Sequence, residues 1–219
     1  AKANVQCENC HGPGSQHFGN PAQIGKSWDA RVCAQCHDSQ GFDGYPYPYD
    51  SSRHKELPAI FAQFPSLLES ACAKCHSAEG FVRLAINQDT LSKPEKTDPH
   101  AVSCVACHDP HDRTLPNQLR WVNDVVMENG VLFPNAGNGS ICVICHQSRV
   151  PNKLETFIYN DTAGPHYGPQ ADVLLGKSAW TFGAELKQAT SVHLVVTQDA
   201  CVTCHMARIP ANGWNEENG

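Results

Sequence analysis

The chain has 219 residues, a formal charge of −6, 41% hydrophobic and 17% charged residues. The acidic balance excludes a nucleic-acid partner held through its phosphates, and no run of 18 apolar residues exists to span a membrane. Sixteen Gly and 15 Pro predict many turns and short elements, mostly irregular chain with short α-helices and little or no β-sheet.

In chain order, residues 1–4 have no apolar core of an export signal, so any such signal lies outside this sequence. Cys7-Glu8-Asn9-Cys10-His11 comes next, followed by His17, and then Cys33-Ala34-Gln35-Cys36-His37. Tyr45-Pro46-Tyr47-Pro48-Tyr49 reads as an extended surface loop, and His54 follows it. A helix is expected over residues 65–79, carrying Cys72-Ala73-Lys74-Cys75-His76. His100 precedes Cys104-Val105-Ala106-Cys107-His108, and His111 lies just beyond it. Residues 135–139 read as a turn, and a helix over 140–148 carries Cys142-Val143-Ile144-Cys145-His146. His166, an expected helix over 171–180, and a valine-rich stretch over 192–197 that suits a short strand and contains His193 come next. Cys201-Val202-Thr203-Cys204-His205 is last, before a polar tail over 215–219.

All twelve cysteines therefore fall into six Cys-x-x-Cys pairs, each followed directly by His. With 12 His in 219 residues, that coincidence has a chance probability of roughly 3 in 10⁸, and Cys-x-x-Cys-His is the c-type haem attachment signature. Two intervening residues let both sulfurs reach the two vinyl groups on one edge of a porphyrin. The adjacent His then swings beneath the ring and ligates iron, its other ring nitrogen held by a carbonyl. Zinc sites give no reason for a sixfold His after each pair. Disulfides within Cys-x-x-Cys are strained and redox-active rather than stapling. The implied cofactors are six haem c, with Cys7, Cys10, Cys33, Cys36, Cys72, Cys75, Cys104, Cys107, Cys142, Cys145, Cys201 and Cys204 as attachment points. His11, His37, His76, His108, His146 and His205 are the proximal ligands.

Six histidines remain: His17, His54, His100, His111, His166 and His193. They match in number the second axial ligands that six haems need. His111, three residues after His108, cannot cross to the opposite face of the same ring, and His17 meets the same difficulty. Each should serve a neighbouring haem. Met127 is a weaker axial candidate, and Met206, next to His205, cannot reach over the ring. Motif starts lie 26, 39, 32, 38 and 59 residues apart. So little chain per haem cannot enclose each one, so the haems must pack against each other. The expectation is a single domain over residues 1–219, built around a closely packed haem chain, with a possible subunit-contact segment over residues 147–200. Several arginines near motifs, such as Arg31 and Arg120, suit haem propionates.

The segments Cys10-His11-Gly12-Pro13-Gly14-Ser15-Gln16-His17, Cys75-His76-Ser77-Ala78-Glu79-Gly80-Phe81, Cys107-His108-Asp109-Pro110-His111 and His166-Tyr167-Gly168-Pro169-Gln170 resemble multihaem c-type cytochromes of respiratory bacteria and archaea. The last of these is similar to extracellular filament-forming cytochromes. That resemblance implies a multihaem cytochrome c fold, and distal roles for His17 and His111 toward neighbouring haems. It also implies a homo-polymer with end-to-end haem contact, in which one distal ligand comes from the next subunit.

The expected function is electron transfer through bis-His haems, without enzymatic activity, as a subunit of an extracellular conductive filament in anaerobic respiration. The alternatives are a soluble periplasmic multihaem shuttle, or a reductase for nitrite, hydroxylamine or sulfur oxyanions with one open-site haem. Low-spin bis-His iron has no vacant coordination position, which favours a carrier. Partners would be other redox proteins or extracellular electron acceptors. Haem c is attached outside the cytoplasm, so the chain is expected outside the cell, at the cell surface or in the periplasm.

Overall fold

The computed structural model describes residues 6–16, 18–20, 23–37, 49, 52–56, 61, 63, 64, 66, 72–88, 100–148, 168–177 and 190–206. His17, His166, most of the tyrosine–proline run and the 215–219 tail lie outside the described residues. The chain divides into two compact units, one of residues 1–82, 90–106 and 208–219, the other of 83–89 and 107–207.

In the first unit the elements are single helical turns. Cys7–His11 starts where the Gln6 N–H donates to Asn9 Oδ1 at 2.8 Å. It stops at Gly12, whose φ of +74° turns its N–H back onto the Glu8 carbonyl. Ala30–Ala34 starts at Asp29, whose carboxylate accepts from the Arg31 N–H at 2.8 Å. Of the helix expected over 65–79, residues 65 and 67–71 lie outside the described residues; from residue 73 on it is two turns, Ala73–His76 and Ala78–Gly80, because Ser77 is extended and caps the second by accepting from the Gly80 N–H. Gly80 folds back on the first turn, and a Cβ there would lie 2.3 Å from the Ala73 carbonyl oxygen. A π-helical stretch, Phe81–Ile86, continues from it. The buried apolar residues described in this unit are Phe61, Ala73, Ala78, Phe81 and Ala106.

The second unit has a protein core of its own. Strands β1 (Val125–Val126) and β2 (Leu132–Phe133) form an antiparallel hairpin with Val125 opposite Phe133 and Val126 opposite Leu132. Val125 and Phe133 are buried and their neighbours exposed, the alternation a one-sided hairpin requires. The Gly130 N–H bonds to the Met127 carbonyl at 2.8 Å, and Gly130 takes φ +81° to close the loop. Met127 is 2% exposed within this core, beside Phe133, Ile141, Val143 and Leu175 among the buried residues. Each such side chain contributes about 1.5–3 kcal/mol on burial. Met127 is thus a core residue. Fully buried Asp172 accepts from Asn129 Nδ2 and the Ser148 N–H, both at 2.7 Å, and so ties the hairpin loop to the segment after the fifth motif.

The helices here are shorter than the sequence suggests. Ser140–Val143 replaces 140–148, and Gln170–Leu174 closes at Gly176 with φ +66°. The stretch expected as a strand is the helix Val192–Val196. No strand among the described residues pairs with it, whereas Ser191 Oγ accepts from the His193 N–H and Thr197 Oγ1 donates to the His193 carbonyl. Local capping decides the conformation. The expectation of short helices with little β-structure holds: the hairpin is the one sheet among the described residues. No described helix is long and apolar enough to cross a membrane.

Candidate haem-attachment sites

Each motif lies on, or runs out of, a single helical turn. In the second, third and fifth, the histidine N–H donates to the carbonyl of the first cysteine, four residues back, at 2.9–3.2 Å. The first and last motifs are helical throughout, as Cys7–His11 and Cys201–His205. Helical periodicity places positions i, i+3 and i+4 on one face. Both sulfurs and the imidazole therefore emerge together, which is the arrangement needed to grip one edge and one face of a planar ring.

The imidazoles are oriented from outside the motifs. His11 Nδ1 donates to the Gly25 carbonyl at 2.5 Å and His108 Nδ1 to the Asn117 carbonyl at 2.8 Å. His146 Nδ1 lies 3.3 Å from Gln170 Oε1. A carbonyl only accepts, so Nδ1 carries the proton and Nε2 the lone pair that binds a metal. Around His108 the chain is locked by the Asp109 N–H on the Gln118 carbonyl and the Arg120 N–H on the Cys107 carbonyl. Burial lowers the pKa of His146, the bond to Gln170 opposes that, and nearby His205 lowers it further. Burial and His205 both favour the neutral imidazole. The His76 ring packs on Phe61, with centroids 5.8 Å apart.

Cysteines of different motifs meet within each unit. In the first, Cys33 hydrogen-bonds Cys104, which together with burial pushes the Cys33 thiol up. In the second, Cys142 hydrogen-bonds Cys201, so Cys142 is pushed up and Cys201 drops to about 7. Burial raises Cys107 to about 11, and Arg120 opposes it. Two glycines allow the Cys142–Cys201 approach. A Cβ on Gly139 would lie 2.6 Å from the Asp199 carbonyl oxygen, and one on Gly137 would meet the Asp199 carboxylate. Ala200, immediately before Cys201, is held at φ +42°, a strained position for a residue with a Cβ.

The candidate second ligands are dispersed. His54 is exposed on the 3-10 turn Arg53–Lys55, with Ser52 Oγ on its N–H. His193 is exposed on Val192–Val196. The exposed His111 donates its N–H to Asp109 Oδ1 at 3.0 Å, and Asp109 is anchored by Arg120 at 2.7 Å. His100 Nδ1 lies 2.5 Å from Glu79 Oε1. Among the described residues no three His, Cys, Asp or Glu side chains converge. An iron porphyrin supplies four of its six ligands, so it asks the chain for two imidazoles and not for such a cluster.

The donor set suits a covalently held haem: paired sulfurs and an imidazole at helical spacing, repeated six times in the sequence, with the imidazoles of His11, His108 and His146 held through Nδ1. The residues that hold the imidazoles (Gly25, Asn117, Gln170 and Glu79) were not identifiable from the sequence. Each lies 9 to 24 residues from its histidine, with no motif linking the two. No protein-family model, curated protein or solved structure matches the chain.

Proposed function

We propose that this chain is a hexahaem c-type cytochrome that carries electrons, with a multihaem cytochrome c fold organised around its haems. The observation that carries this reading is the sixfold Cys-x-x-Cys-His, with the sulfurs and imidazole of helical motifs on one face. The haem supplies the redox-active iron and the conjugated ring through which charge spreads. The chain's part is to hold it. Paired cysteines fix one porphyrin edge, and Nδ1 bonds to Gly25, Asn117 and Gln170 aim the proximal imidazoles. The second histidines would supply the remaining imidazole to each iron, leaving no open place for a substrate. The Cys33–Cys104 and Cys142–Cys201 contacts support this reading, since haems attached there would have neighbouring edges, as hopping requires.

The finer reading is a subunit of an extracellular filament, exchanging electrons with redox proteins or extracellular acceptors. One further observation favours it over a periplasmic shuttle. Val192, Val195 and Val196 are 64–75% exposed on one face of the helix that carries His193, within the expected 147–200 contact segment. An apolar face beside an exposed imidazole suits another copy of the chain.

The test is intact mass and haem quantification of protein matured in a host that attaches c-haem. Six haems per chain, low-spin spectra and no carbon monoxide binding are expected. Fewer than six would overturn the hexahaem reading. Carbon monoxide binding by the reduced protein would turn it toward a reductase. Electron microscopy separates filament from shuttle.

A further inference from the structure

We infer that Glu79 is a positioning and tuning residue for His100, fixing the ring's aim and lowering the reduction potential of the haem that His100 ligates. The inference rests on the haem reading above. The geometry comes from one carboxylate gripping one residue twice. Glu79 Oε1 takes the His100 ring Nδ1 at 2.5 Å, and Oε2 accepts the His100 backbone N–H at 3.2 Å. The His100 carbonyl in turn accepts from the Ala78 N–H at 3.1 Å, so the peptide is held on both sides. Ring and backbone are pinned together, which removes the freedom of both side-chain torsions and leaves Nε2 with one direction.

The local fold is built for this. Ser77 breaks the helix after the third motif and caps the Ala78–Gly80 turn, and Gly80 lets that turn fold against Ala73. Glu79, three residues after His76, is thereby presented to a segment 21 residues away in sequence. The Glu79 and His100 side chains are only 22% and 37% exposed, so water weakens the pair less than at an open surface.

The acceptors on His11, His108 and His146, the Gly25 and Asn117 carbonyls and the Gln170 amide, are neutral, and the Asp109 carboxylate stands 3.7 Å from His111 Nδ1, beyond hydrogen-bond reach. A carboxylate on Nδ1 instead increases electron density at Nε2, makes the ligand more basic and favours ferric over ferrous iron. The His100-ligated haem therefore holds its electron less tightly than it would with a neutral partner at the same position.

The experiment is spectroelectrochemical titration of the holoprotein and its Glu79→Gln variant, with electron paramagnetic resonance of the ferric forms. Glutamine keeps the size and an accepting oxygen but removes the charge. The expected result is six haems in both proteins, all low-spin. One midpoint rises enough to change that haem's oxidised-to-reduced ratio about tenfold at fixed potential, or ~59 mV for one electron, and one ferric signal moves. A merely structural role for Glu79 would leave the potentials where they were. Six unmoved midpoints in a six-haem variant overturn the inference and leave the haem reading intact. A wild-type protein without haem overturns both. Should the variant lose haem, the wild type decides. One ferric haem should show a near-infrared charge-transfer band displaced toward that of imidazolate-ligated haem, and six bands of ordinary bis-imidazole type overturn the inference.

Discussion

The Gly25 carbonyl receives the His11 Nδ1 proton at 2.5 Å, and a Cβ on residue 25 would sit 2.6 Å from the His11 carbonyl oxygen. The two residues approach each other by backbone as well as by side chain, and only glycine permits both. Gly25→Ala should force the loop off the helix and cost about 1–3 kcal/mol, as overpacking does. Denaturant unfolding measures the loss. The ferric resonance of one haem should broaden as the imidazole loses its anchor. An unchanged unfolding midpoint with unchanged resonances would show that the loop does not hold His11.

Asp172 joins Asn129, on the hairpin loop, to Ser148, just after the fifth motif. Asp172→Ala leaves two half-buried donors without their acceptor. Bonds to a charged group are among the costlier ones to lose, so stability should fall by about 2–4 kcal/mol. Calorimetry or denaturant titration reads this directly, and a change below about 0.5 kcal/mol would contradict the burial described.

The Cys142–Cys201 contact predicts a pH-dependent order of thiol reactivity in chain produced without haem attachment. The second unit has its own apolar core, which should keep these residues together. Cys201 accepts a hydrogen bond from Cys142 and falls from the ordinary 9.0 to about 7, while Cys142 is raised. For an acid lowered in the folded state, the thiolate's stabilisation is complete above 9.0 and lost as pH falls through about 7. Iodoacetamide should therefore modify Cys201 with a rate that rises through about pH 7, well before Cys142 reacts. Peptide mass spectrometry resolves the two. Equal rates with equal pH midpoints would refute the contact. In holoprotein both sulfurs are thioethers and neither should react.

Removing a second axial ligand should open one iron. His111→Ala is expected to give one high-spin haem per chain and carbon monoxide binding to one haem in the reduced protein, with six haems still attached. His111 is exposed and its backbone N–H bonds locally to Asp109, so the polypeptide fold should tolerate the change within about 0.5 kcal/mol. Spectra identical to the wild type would remove His111 from the ligand set.

Much of the local structure is legible in the residues. Cys-x-x-Cys-His contains its own geometry, because spacings of three and four residues share a helical face whatever surrounds them. The density of Gly and Pro likewise foretells single-turn helices and little sheet. Residues 192–197 show where local reading fails. Valine-rich sequence suits a strand, but a strand needs a partner, and none pairs with it among the described residues; the Ser191 and Thr197 hydroxyls offer the backbone a helical turn instead.

The six Cys-x-x-Cys-His motifs, and the face that each presents, follow from sequence alone, since they depend only on neighbours within one turn. Tertiary contacts set which carbonyl or carboxylate meets His11, His100, His108 and His146, and which cysteines of separate motifs approach each other. Gly25 meets His11, Glu79 meets His100, and Cys142 meets Cys201 through reversals of the chain. Such pairings depend on where glycines allow backbones to close on each other, at Gly25, Gly80, Gly137 and Gly139, and no spacing in the sequence encodes that distance.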